Sequence, residues 1–333
     1  MNFDEKCLEI EHELCDEFIP HKEYDLELAD VYDRLGMTEK AQRVRWCGTQ
    51  LDYKIPEDFS ETPKLYRANF CKDRLCSMCG WRRSKKIFSQ VSKVMDKLEP
   101  DYVFIFVTLT IRNCSADELK KMIDLVLYGF KKFSLIRSIK RAFVGSFKAL
   151  EITRHPEHFR SIEYHPHLHC IFAVKKGYFK SKNYIKHDEL IQYWRQACQL
   201  DYDPVVDIRK VKPKINEDGE INLKAAVCEV AKYAVKSSDL LEGTPKMQED
   251  AVLTLVDSLS SRRLCSFSGV FKKAAQELKL DDLLDGDLVL TDGDKVRKDV
   301  GYLLVTYQWR VGFGYERHSV RRLEEKNESA GSC

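Results

Sequence analysis

Glu163-Tyr164-His165-Pro166-His167-Leu168-His169-Cys170-Ile171-Phe172-Ala173-Val174 is the stretch on which the fold turns. Side chains alternate faces along a strand. Read as a strand, the stretch puts His165, His167 and His169 on one face. Tyr164, Leu168, Cys170, Phe172 and Val174 fall on the other face, which suits a core. Same-face neighbours lie ~7 Å apart along a strand, so two imidazoles can converge on one metal ion. Histidine is also the commonest metal ligand among side chains. The plainer reading is three structural histidines, and three at period two weigh against it.

Strands are predicted on either side of this one. Tyr102–Thr110 is rich in β-branched and aromatic residues, Phe143–Ile152 reads as a second strand, and Val205–Val211 as a fourth. Helices are predicted between them. One follows Ser115 as cap and buries Leu119, Met122, Ile123, Leu125, Val126 and Phe130; another spans His187 to Cys198. A third runs from Leu223 to about Ser237 with Asn222 as cap. The order β-α-β-β-α-β-α predicts an α+β chain. Its centre is a split β-α-β sheet, ferredoxin- or RRM-like and antiparallel, with helices on one face and the histidine face left for a site.

Two histidines need a further ligand. Glu163 shares their face but lies ~13 Å from His167 along the strand, too far for joint coordination. Glu151 ends the preceding strand, and antiparallel pairing would bring it beside His167 and His169. A carboxylate with two imidazoles and open positions suits Mg²⁺ or Mn²⁺ acting on phosphate esters. In the third helix Glu229, Lys232, Tyr233 and Lys236 fall at i, i+3, i+4 and i+7 on one face, opposite Leu223, Val227, Val230 and Ala234. Alone, that face is an ordinary charged helix surface. Beside a metal-type strand it offers a tyrosine nucleophile whose phenolate is favoured by two lysines.

Upstream, Cys71-x4-Cys76-x2-Cys79 forms a knuckle, with Cys47 as the fourth ligand of a closed, structural, all-cysteine zinc site. Arg74, Arg82, Arg83, Lys85 and Lys86 lie in or just after it, near Phe70 and Trp81. Cations interleaved with aromatics suit DNA phosphates and bases; a solvated helix face is the alternative.

The 333 residues carry a net charge of only +2. Residues 1–35 hold twelve acidic and three basic side chains, so the remainder is net positive by eleven, compatible with a polyanionic partner. No run of ~18 apolar residues predicts a membrane span. The acidic N-terminus is unlike a signal peptide, which predicts a cytoplasmic protein. Four segments are expected. An acidic helical segment, 1–45, is read as two helices broken at Pro20 and Gly36. The zinc knuckle and basic helix, 46–98, begin with a polar linker. A catalytic domain, 99–240, precedes a C-terminal accessory region, 241–333, with helices at 247–260 and 270–279, one or two strands at 303–315 and a disordered tail.

The chain resembles the HUH endonucleases, named for two histidines flanking a hydrophobic residue, here His167-Leu168-His169. It is most similar to the rolling-circle replication initiators of plasmids. The likeness rests on Phe106–Asn113, His165–His169, Glu229-x-x-Lys-Tyr-x-x-Lys236 and the Cys71–Lys86 knuckle, in that family's order. The resemblance implies site-specific nicking and joining of single-stranded DNA. Tyr233 would be the nucleophile, linked to the 5′ phosphate while the 3′ hydroxyl primes synthesis. Glu151, His167 and His169 would hold the metal, and Glu229 would activate water for termination. Origin DNA, host helicase and host polymerase would be the partners. The alternatives are a single-tyrosine HUH transposase or relaxase, a non-catalytic zinc-knuckle DNA-binding regulator, and a small-molecule metalloenzyme.

Overall fold

A computed structural model describes residues 14–155, 163–211, 223–231, 237–289 and 301–323. In chain order α1 (Ile19–Arg34) and α2 (Thr38–Trp46) lead to β1 (Gln50–Pro56), β2 (Lys64–Ala68) and the long α3 (Ser77–Leu98). Then come β3 (Tyr102–Thr110), α4 (Leu119–Leu135), α5 (Arg137–Ala142), β4 (Gly145–His155) and β5 (Glu163–Lys175). After these lie α6 (His187–Cys198), β6 (Val206–Val211), α7 (Leu223–Val230), α8 (Ser237–Leu240) and α9 (Pro245–Leu259). The chain closes with β7 (Cys265–Ser268), α10 (Gly269–Glu277), β8 (Tyr302–Arg310) and β9 (Gly314–Arg322).

The histidine stretch is the middle strand of a five-stranded antiparallel sheet ordered β6-β3-β5-β4-β7. Its first four strands have the predicted ferredoxin-like order, and β7 is an added edge. On one face Leu168, Cys170, Phe172 and Val174 meet α4 and α6, as the alternation requires. Phe143 stacks on Phe172 at 4.4 Å between ring centres, and Trp194 packs edge-on against Phe133. Helices α4 and α6 approach so closely that a Cβ on Gly129 would sit 2.3 Å from the Cys198 sulfur.

The histidine face is not left open along its whole length. Ile171 and Ala173 follow His169 on the same side, and with Phe104, Phe106 and Phe147 they form an apolar half that must leave water. Ile87, Val91 and Val94 of α3, Ala226, Val227 and Val230 of α7, and Phe271 of α10 cover it.

Pro20 falls at the expected break: residues 14–16 are helical, 17–18 form a turn, and Pro20 stands in the first turn of α1, where its missing N–H costs nothing. Two local expectations change. Ser115 does not cap α4; its hydroxyl donates to Glu118 in the turn before the helix. Residues 48–69 are not a linker. Leu51, Tyr53 and Ile55 alternate inward on β1, which pairs with β2 and β8 in a second antiparallel sheet ordered β2-β1-β8-β9. The expected C-terminal strands thus belong to a sheet begun before residue 70. Asn222 and the tail from Glu324 lie outside the described residues.

Candidate active site and metal centre

Register builds the first site. His167 lies opposite Glu151 on β4 and Thr110 on β3, and His169 lies opposite Ala149 and Thr108. The Glu151 Oε2 is 2.7 Å from His169 Nε2 and 3.4 Å from His167 Nε2, and the two Nε2 atoms are 3.2 Å apart. All three side chains are buried. His167 Nδ1 lies 3.0 Å from the His165 carbonyl oxygen, which can only accept, so Nδ1 carries the proton and Nε2 is bare. His169 Nδ1 faces the Thr108 hydroxyl at 3.2 Å, and Phe106 stacks on its ring. Both Nδ1 atoms are thus occupied by oriented oxygens while both Nε2 atoms face one carboxylate oxygen. Lone pairs and a carboxylate converging in this way repel one another unless a proton or cation lies among them, and the outer partners are those of metal-ligating histidines. Burial alone would raise the Glu151 carboxyl; the imidazoles of His167 and His169 beside it outweigh burial and hold it well below the usual carboxylate range.

Helix α7 brings Glu229 to the same place. Its Oε1 lies 3.8 Å from His169 Nε2, half-buried, because Ala226, Val227 and Val230 pin the helix to the sheet. Lys232, Tyr233 and Lys236 lie outside the described residues.

The second site is the knuckle. The sulfurs of Cys47, Cys71, Cys76 and Cys79 all lie within 4.8 Å of one another. Cys47 is 3.5 Å from both Cys79 and Cys76, and Cys71 is 3.7 Å from Cys79. A tetrahedron with ~2.3 Å metal–sulfur bonds has edges of ~3.8 Å, so four ligands fit one ion. Backbone N–H groups of Cys71, Lys72, Asp73 and Cys79 donate to the sulfurs, as thiolates require. Hydrogen bonds from Cys47, Cys71 and Cys76 pull the Cys79 thiol well below its ordinary value.

Sequence reading missed what stands behind this cluster. Lys22 and Asp25 of α1 are wholly buried. Lys22 Nζ donates to the Arg45 and Cys47 carbonyls, and Asp25 accepts from Ser77 N–H, Met78 N–H and the Cys76 thiol. Burial pushes the Asp25 carboxyl up to about 7 against those hydrogen bonds. The signal was present: Lys22, Asp25 and Leu28 stand three apart, so two charges occupy positions on a core-facing stripe.

Of the basic groups expected at DNA, Arg82 and Lys86 are engaged inside the protein. Arg82 is buried, donating to the Leu288 and Val289 carbonyls, and buried Lys86 pairs with Asp281 at 2.7 Å. Arg74 donates to the Leu259 and Arg262 carbonyls. Lys85 pairs with Glu17 and lies over the Trp81 ring; Arg83 is half-buried. Arg82 and Lys86 therefore fasten α3 to later chain segments, because acceptors nearly 200 residues away reach them. Arg154 is used in the same way, donating to the Asp239, Glu242 and Met247 carbonyls.

A ferredoxin-like antiparallel sheet carrying a Glu-His-His cluster on its central strands, beside a four-cysteine knuckle, defines a plasmid replication initiator of the Rep, HUH type. The chain belongs to the replication protein family, whose sequence profile matches residues 62–317. It is 39% identical over 290 residues to a "Protein rep" of Bacillus sp, covering 82% of this chain and 91% of that one. It is 35% identical over 286 residues to a "Protein rep" of Streptococcus pneumoniae serotype 2, strain D39, covering 84% and 85%. A "Replication protein" of Staphylococcus aureus is 30% identical over 230 residues, covering 68% of this chain and 94% of that one. No solved structure matches the chain. No helix among the described residues is long and apolar enough to cross a membrane.

Proposed function

We propose that this chain initiates rolling-circle replication of a plasmid in the cytoplasm, by nicking and rejoining one strand of origin DNA. The observation that carries the reading is the convergence of Glu151 Oε2, His167 Nε2 and His169 Nε2, with Glu229 alongside. These three ligands would hold Mg²⁺ or Mn²⁺, and Cys47, Cys71, Cys76 and Cys79 one structural Zn²⁺. Held by Glu151, His167 and His169, such an ion would polarise the scissile phosphate and stabilise its added charge.

Tyr233 stands four residues after Glu229 in the sequence, a spacing that on a helix amounts to ~6 Å along the axis, and the two would address one phosphate in turn. A phenol is a poor nucleophile near neutral pH because its pKa is ~10. Lys232 and Lys236 favour the phenolate, and they also contact the DNA backbone with Arg83. The Tyr233 oxygen forms the new bond to phosphorus, the bond to the 3′ oxygen breaks, and that oxygen takes up a proton. The 3′ hydroxyl primes the host polymerase, with a host helicase opening the duplex ahead. At the end of a round Glu229 deprotonates water, so that hydrolysis and not a further transfer completes the reaction. A transposase or relaxase, in which each step is a transfer, has less use for such a base.

The test incubates the purified protein with labelled single-stranded DNA from its own replicon and Mn²⁺. A covalent protein–DNA adduct is expected from the wild type and none from Tyr233→Phe. Glu229→Gln should still form the adduct, yet in a replication reaction supplied with host polymerase and helicase give products longer than one unit. An adduct that persists in Tyr233→Phe overturns the assignment of the nucleophile. Loss of nicking in Glu229→Gln overturns the water-activating role.

A further inference from the structure

The stretch Phe106–Asn113 is only half used by the site described above. Phe106 and Thr108 serve His169, and Thr110 bonds the Val205 carbonyl through its N–H and its hydroxyl. Arg112 serves none of these.

We infer that Arg112, with Tyr202, forms a rim that grips single-stranded DNA beside the Glu151–His167–His169 cluster. The inference rests on the reading that this cluster acts on DNA. Access is the first argument. At one end of the histidine face Phe147, Ile171 and Ala173 are sealed under α3, α7 and α10. At the other end Thr110 and His165 are half-buried, Arg112 is exposed and Val205 is 72% exposed. Among the described residues, the second end is the one from which a polymer reaches the cluster.

Position is the second argument. Thr110 is opposite His167, and beyond the end of β3 the chain still follows β5, because Cys114 bridges Tyr164. Arg112 therefore comes level with His165, ~7 Å along the strand from the cluster.

Chemistry is the third. The Tyr202 hydroxyl accepts the Arg112 backbone N–H at 2.8 Å, which fixes the ring before any ligand arrives. The guanidinium lies 5.1 Å from the centre of that ring. Asp201 stands 3.7 Å from the guanidinium, but the two side chains are 79% and 63% exposed, and so solvated a pair is readily exchanged for a phosphate. The other nearby carboxylates have their own partners: Glu163 accepts from Asn113, Asp203 pairs with Arg195, and Asp207 pairs with Arg209. A fixed aromatic ring, an exposed valine and a guanidinium together suit an unpaired base and the phosphate next to it.

The experiment uses the full chain and oligonucleotides containing the nick site of its replicon, trimmed stepwise from either side. Arg112→Ala should raise KM about tenfold, the scale of one lost stacking or phosphate contact, with kcat within about twofold. It should lower the slope of log K against log salt by ~0.7, the value for one phosphate on a single strand. Arg112→Lys should restore most of that slope. Tyr202→Ala should weaken binding without changing it. Trimming the oligonucleotide on one side of the nick should abolish the difference between wild type and Arg112→Ala. If wild type forms the adduct but Arg112→Ala keeps its KM and salt slope, the rim is wrong. A loss confined to kcat, or one that Arg112→Lys fails to repair, also overturns it. A wild type that forms no adduct overturns the nuclease reading instead, and the salt slope of binding then still decides the rim.

Discussion

At the scale of single residues, the Thr108 hydroxyl shows how the site is tuned from outside its ligands. It meets His169 Nδ1 and so fixes which nitrogen faces Glu151. Thr108→Val keeps the shape and removes that oxygen. We expect Mn²⁺ affinity to fall by roughly 10- to 100-fold, read as a shift in the Mn²⁺ concentration needed for adduct formation, with the melting temperature nearly unchanged. Thr108→Ser should bind metal like the wild type. An unshifted Mn²⁺ curve in Thr108→Val would mean that another group orients His169. Glu151 was legible in the sequence because register follows once two strands and a short connection are identified. Thr108 was not, since a threonine in a β-branched strand looks like any other. Arg82 and Lys86 were read in the wrong direction for a related reason. A run of cations looks solvated until the carbonyls and carboxylate that receive them are known, and those lie beyond residue 280.

At the scale of elements, the knuckle joins parts that local propensity would leave apart. Cys47 ends α2, Cys71 follows β2, and Cys76 and Cys79 open α3, where the Cys76 sulfur accepts the Cys79 N–H as a cap. Lys22 and Asp25 tie α1 to the same centre. Metal removal should therefore loosen helices as well as the knuckle. Cys79→Ser is expected to lose about one zinc per chain, measured by elemental analysis, and to melt several degrees lower in a thermal scan, on the order of the ~2–4 °C per kcal/mol of a domain this size. A variant with no zinc and an unchanged melting curve would remove the knuckle from the list of structural supports. Period 3.6 made α4, α6, α9 and α10 readable. The short strands β1, β2 and β7 were missed. In β1 the alternation of Leu51, Tyr53 and Ile55 with polar residues spans only seven residues, and Asp52 on the other face is buried against Arg67 of β2, which pairs with it at 2.6 Å. That partner cannot be assigned before the sheet is known.

At the scale of the whole molecule, the second sheet unites segments that sequence order places in different regions. β1 runs antiparallel to β8 from Gln50–Gln308 to Pro56–Tyr302, and β9 completes the sheet. A chain stopped after residue 300 keeps every ligand of both candidate metal sites but leaves β1 with β2 alone. Leu51, Tyr53 and Ile55 then lose Tyr307, Val305 and Leu303 as cross-strand partners. We expect such a chain to elute largely as aggregate in size-exclusion chromatography, because an unpaired apolar strand edge recruits other chains. A soluble monomer with the full-length melting temperature would show that β8 is dispensable. Periodicity told where strands lie, and it does not say which strand pairs with which across some 250 residues. The same pairing sets a clock on biosynthesis. At the ~5–20 residues per second of translation, β1 leaves the ribosome on the order of tens of seconds before β8 exists to meet it. Throughout that interval β2 can cover one edge of β1, while the edge that awaits β8 is open to strands of neighbouring nascent chains on the same messenger. Codon choice between β2 and β8 alters no side chain, yet it would govern how much of each burst of synthesis matures into initiator and how much is lost to self-pairing.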